Sequence, residues 1–80
     1  MFQFVIILST VIRSPFDLGR IKNTIANFTC ISEWSHDLDD ADKILRIVAD
    51  KDISKILLSD LQSVGVDALL LQVFKNKDAV

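Results

Sequence analysis

Apolar and polar positions follow two rhythms along this chain, and the changes of rhythm mark six elements. The opening MFQFVIILSTVI is almost wholly apolar, with the Phe, Val and Ile content of a strand buried on both faces. A strand is predicted from Phe2 to about Val11. Ser14-Pro15-Phe16-Asp17 then reads as a helix start. The Ser14 hydroxyl can cap the first free amides, Pro15 suits the first helical position, and Asp17 sits at capping-box spacing. Leu18, Ile21, Ile25 and Phe28 recur on one helical stripe, with Arg20, Lys22 and Asn23 outside it. A helix from about Pro15 to Phe28 follows.

The period then falls to two. Trp34, His36 and Leu38 share one side of a strand from about Cys30 to Leu38, and Glu33, Ser35 and Asp37 share the other. Asp39-Asp40-Ala41-Asp42 supplies a turn, because aspartate tolerates turn geometry and accepts bonds from its own backbone. A partner strand from about Lys43 to Ala49 completes a β-hairpin. After the polar Asp50-Lys51-Asp52, a helix spans about Ile53 to Val64, capped by Asp52 or Ser54. Ile53, Leu57, Leu61 and Val64 give its inner stripe, flanked by Ile56 and Leu58. Gly65 is placed as a left-handed stop. Val66 to Phe74 is a last apolar strand, and Lys75 to Val80 reads as a loose tail.

The order β-α-β-β-α-β predicts an α+β fold: a ferredoxin-like sandwich, with a four-stranded antiparallel sheet and both helices on one face. The first and third strands would be central. The fourth is denser in apolar residues than an edge strand should be, which predicts self-association or a protein partner along that edge.

Composition narrows the function classes. Eighty residues make one domain, 1–80, read as a core over 1–75 and a tail over 76–80. Nine basic and eleven acidic residues give a net charge of −2, and the basic ones are scattered. Nucleic-acid binding wants a concentrated basic face and is not expected. One cysteine, Cys30, can form no internal disulfide, which fits a reducing, cytoplasmic location. Asn27-Phe28-Thr29 matches a glycosylation triplet too short to outweigh that. The apolar opening precedes the first positive charge, Arg13, unlike a signal peptide. It also falls short of the ~20 residues that a membrane span needs, so no membrane association is expected.

Several pieces together resemble the heavy-metal-associated domain of small copper chaperones and metal-pumping ATPases. The Leu18, Ile21, Ile25 stripe resembles that family's first helix. Ser35-His36-Asp37-Leu38 is similar to the end of its second strand, and Ser63-Val64-Gly65-Val66-Asp67-Ala68 to the end of its second helix. The resemblance implies the ferredoxin-like fold and a soft-metal site, Cys-x-x-Cys, at the start of helix one. There, two thiolates approach linear coordination and the helix N-terminus favours their charge. In this chain the matching positions are Ser14 and Asp17, a hydroxyl and a carboxylate. Neither suits Cu(I), so no metal residue carries over, no cofactor is expected, and the helix start should be sealed by these two side chains.

Other candidates have plainer readings. Cys30 and His36 are the chain's only thiol and imidazole, and on a regular strand they would lie on one face roughly 20 Å apart, too far to share an ion. Both read as structural, His36 packing beside Trp34. Asp37, Asp39, Asp40 and Asp42 invite a calcium loop, but Ala41, Asp42 and Val48 stand where a ligand, Gly and Glu are required. Arg13 after the first strand is similar in place to the anion loop of acylphosphatases, yet no glycine lies between Thr10 and Phe16 and Arg13 has no evident partner. Ser14 as a nucleophile has no histidine near it in sequence. Trp34 packs in the core or covers the helix-free face of the sheet; exposed, it would mark an interaction surface.

The expectation is therefore a non-enzymatic binding or interaction domain with the heavy-metal-associated fold and no metal site. Two alternatives are a metal carrier with atypical ligands, drawing Cys30 or His36 from two protomers, and an amino-acid-sensing domain of ACT type, which shares the element order.

Overall fold

In the computed structural model, which describes residues 2–77, the order is β1 (Phe2–Val11), α1 (Pro15–Ala26), β2 (Ile31–His36), β3 (Leu45–Ala49), α2 (Ser54–Ser63) and β4 (Asp67–Lys77). The strands form one antiparallel sheet in the order β2-β3-β1-β4. This is the ferredoxin-like sandwich, with β1 and β3 central as their apolar content requires.

Alternation along β1 sorts the sheet into two faces. Ile6 and Leu8 pair with Ile47 and Leu45, and all four are fully buried in one cluster with Ile21 and Ile25 of α1 and Leu57 and Leu61 of α2. That is the helix-bearing face. Each such side chain contributes about 1.5–3 kcal/mol by leaving water. Val5 and Val48 pair on the opposite, helix-free face and are also buried, by neighbouring side chains rather than by helices. Ile7 is only half-buried there, so the Ile6–Thr10 stretch of β1 is covered by the helices on one face and only partly covered on the other.

The helix ends are built differently from each other. α2 closes with Gly65 at φ +87°, the Gly65 amide donating to the Gln62 carbonyl and the Val66 amide to that of Leu61. This is a Schellman motif, and its hydrophobic contact is present because Leu61 and Val66 are both buried. α1 stops two residues before the expected Phe28, as the Asn27 and Phe28 amides tighten onto the Thr24 and Ile25 carbonyls.

Other boundaries also moved. The hairpin strands end at His36 and begin at Leu45, leaving 37–44 as an eight-residue connection. Asp37 Oδ1 accepts from the Asp39 and Asp40 amides and Asp40 Oδ1 from the Asp42 amide. These side-chain bonds compete with strand pairing and stop it early. At the far end, Lys75–Lys77 continue β4 by pairing with Phe2–Phe4, where a loose tail was expected. The Lys75 ammonium lies 4.4 Å from the Phe2 ring centroid, which gives that extension a cation–π contact. The last three residues of the expected tail lie outside the described residues.

Candidate functional site

The start of α1 is set by β1 running out at Val11 and the chain turning through Ile12, Arg13 and Ser14. Ser14 is the N-cap residue with extended backbone, φ −155° and ψ 163°, but its hydroxyl makes no capping bond. Its carbonyl accepts the Asp17 amide at 3.1 Å. Asp17 instead closes the turn that leads into the helix. Its Oδ2 accepts the Arg13 amide at 2.8 Å, reaching one residue further back than a capping box would, and its Oδ1 accepts Arg20 Nη1 at 2.9 Å. The expectation that Ser14 caps this helix is corrected: its hydroxyl makes no capping bond, and Asp17 folds back to hold the Arg13 amide ahead of the helix rather than a free amide of the first turn.

Asp17 is 4% exposed, one of four buried polar or charged residues among those described. The Arg13 amide, foremost, holds its carboxyl below the usual carboxylate range, with Arg20 and Ser14 adding to that effect against the cost of burial. The ionised form is therefore the one the turn is built for. The i, i+3 spacing of Asp17 and Arg20 was a readable signal for their ion pair. Arg13, for which the sequence suggested no partner, forms an ion pair with Asp67 at the start of β4. That pairing spans most of the chain and has no local signature.

The remaining candidates are dispersed. Cys30 precedes β2 in the turn, is half-buried and packs against the core; its carbonyl accepts the Asp50 amide. β2 is not regular, since Ile31 pairs with Ala49 and Glu33 with Val48, leaving Ser32 as a bulge. The regular-strand placement of Cys30 relative to His36 is corrected accordingly.

His36 takes part in a small clasp that ties the 37–44 connection to β1. Its Nε2 lies 2.9 Å from Thr10 Oγ1 and 3.2 Å from the Lys43 carbonyl, while Thr10 Oγ1 donates to that carbonyl at 2.7 Å. The set closes when Nε2 carries the proton and donates, because the Thr10 hydrogen is already committed. Burial, foremost, lowers the His36 pKa, and the nearby Lys43 charge lowers it further, against the Lys43 carbonyl bond and Asp37. No sequence pattern announced this clasp. Lys43 turns through it with φ 45°, outside the usual range for a lysine.

Trp34 pairs with Ile47, so it lies on the helix-bearing face, where it edges a shallow groove with Ile25 and Phe28 at the end of α1. The suggestion that it covers the helix-free face is corrected. It is 39% exposed, partly packed and partly presented to solvent. The helix-free face instead carries Val11, Leu69 and Phe74, all exposed, as their pairing with Asp67, Ser9 and Val5 requires.

Among the described residues no three His, Cys, Asp or Glu side chains group as a metal site, and no helix is long and apolar enough to cross a membrane. No family model matches the chain, and no curated protein does. Among solved structures it matches the solution structure of the N-terminal domain of ZntA in the apo-form. The TM-score is 0.72 at 17% identity, over 88% of this chain and 94% of that one. The likeness is one of fold.

Proposed function

We propose that this chain is a non-catalytic, cytoplasmic interaction module of heavy-metal-associated fold, a single domain in which Asp17 at the start of helix one is committed to the chain's own groups. One observation carries the reading. At the start of α1 the buried Asp17 carboxylate is already engaged by the Arg13 amide and the Arg20 guanidinium. A soft cation is poorly served by a hydroxyl and a carboxylate. Binding one here would also cost Asp17 both partners, so Ser14 and Asp17 do not fit the metal that this fold type suggests. Neither Cys30, packed against the core, nor His36, engaged by Thr10 and Lys43, offers a free replacement. Binding then falls to surfaces: the exposed apolar residues of β4 and the helix-free face, with Trp34 as a smaller patch.

Titration with Cu(I), Zn(II) and Ni(II), followed by backbone NMR, tests this directly. The expected outcome is no saturable shift at sub-micromolar metal around 13–20, 30 or 36. Sub-micromolar binding at any of them replaces this reading with that of a metal carrier using atypical ligands.

A further inference from the structure

The sheet has two free edges, and they differ. β2 is six residues long, exposes Ser32, Glu33 and Ser35, and is bent by its bulge. Short length, charge and a bulge are the usual protections of an edge against pairing with another chain. β4 is eleven residues long, and its exposed side chains include Leu69 at 66%, Leu71 at 52% and Phe74 at 42%. About half of its backbone amides and carbonyls point away from β1, as in any antiparallel edge strand.

We propose that β4 is the docking surface for a second copy of this chain, the two β4 strands pairing antiparallel to join the sheets into one of eight strands. The register of β4 selects this occupant.

Ile7 pairs with Gln72 and Leu8 with Leu70, so Leu71 is an extra residue that shifts the alternation. The shift puts Leu69, opposite Ser9, and Phe74, opposite Val5, on the same helix-free face. A two-fold axis between Leu71 and Gln72 then sets Leu69 of one protomer opposite Phe74 of the other, twice. The same axis sets Asp67 opposite Asn76 and Ala68 opposite Lys75. Two exposed apolar side chains per protomer are covered, and the pairing is closed, leaving only the protected β2 edges outside.

This rests on the reading of the chain as an interaction module, and the test keeps the two separable by including a chelator throughout. Sedimentation equilibrium of the full chain is expected to show a monomer–dimer equilibrium. Leu69→Lys, at a residue too exposed to matter for folding, is expected to weaken dimerisation by about tenfold or more with an unchanged circular dichroism spectrum. Ser35→Lys on the β2 edge is expected to leave it unchanged. In the dimer, outward-facing β4 amides gain hydrogen-exchange protection that fades on dilution. A strict monomer at millimolar concentration overturns the proposal. So does a dimer indifferent to Leu69→Lys, or one that Ser35→Lys disrupts. A dimer that forms only without chelator overturns it too, and also counts against the interaction-module reading by pointing to bridging metal.

Discussion

Replacing Gly65 with alanine isolates a purely conformational contribution. The residue ends α2 at φ +87°, and a Cβ built there meets no atom within 4 Å. Crowding therefore plays no part, and the cost comes from the clash of Cβ with its own backbone in the left-handed region, about 1–2 kcal/mol. Gly19, inside α1, provides the control. A Cβ there also meets nothing within 4 Å, but its φ is not positive. Alanine at Gly19 should stabilise by about 0.5–1 kcal/mol, through the lower entropy of the unfolded chain and better helix propensity. One chemical change thus carries opposite signs at two sites. For a domain of this size each kcal/mol moves Tm by about 4–8 °C. Thermal and urea unfolding followed by circular dichroism should show Gly65→Ala lowering Tm and Gly19→Ala raising it. Gly65→Asn should fall between Gly65→Ala and the parent, since asparagine tolerates this region. A neutral or stabilising Gly65→Ala would refute both the left-handed cap and the Schellman bonds drawn from it.

Leu61 is fully buried and also makes the apolar contact of that cap with Val66. Leu61→Ala should cost about 2–5 kcal/mol, a large share of the roughly 4–12 kcal/mol typical for this length, and urea unfolding should show a midpoint shift to match. The His36 pKa is lowered in the folded protein, so its contribution is complete above the unfolded value near 6.5 and declines as pH falls through the folded value. Unfolding free energy should therefore drop between pH 7.5 and 5.5 in the parent, and by less in His36→Gln. An NMR titration that puts the His36 pKa above 6.5 would contradict the clasp.

Asp17 and Asp52 act at more acid pH. Asp52 accepts the Ser54 hydroxyl and amide at the start of α2, and Ser54 lowers its pKa as the Arg13 amide does for Asp17. Their contributions are present above the ordinary carboxylate pKa and are lost only as pH falls below it. Asp52 was one of two caps the sequence allowed, and bonding geometry selects it: its short side chain reaches the amide two residues on.

What was legible depended on distance along the chain. Ile21 and Ile25, or Leu57 and Leu61, share a helix stripe by spacing alone, and the six elements and their order follow from such local periods. Asp17 was read as sealing the helix start, and its pairing with Arg20 three residues on could have been added. Ser14 makes no capping bond because where its hydroxyl points depends on how the chain leaves β1, which local spacing does not carry. The hairpin was drawn too long because Asp37 and Asp40 bind nearby amides rather than allow strand pairing.

By itself, the sequence determined the alternation that buries Ile6, Leu8, Leu45 and Ile47, the left-handed stop at Gly65, and the absence of a paired-thiol motif, since each depends on residue type and short spacing. Only the tertiary structure decided that Arg13 meets Asp67, that His36 meets Thr10 and Lys43, and that the extra residue at Leu71 puts Leu69 and Phe74 on one face. Those contacts join residues far apart in the chain, or turn on a one-residue shift in register. Both are settled by how the strands pack together, and no local pattern carries that information.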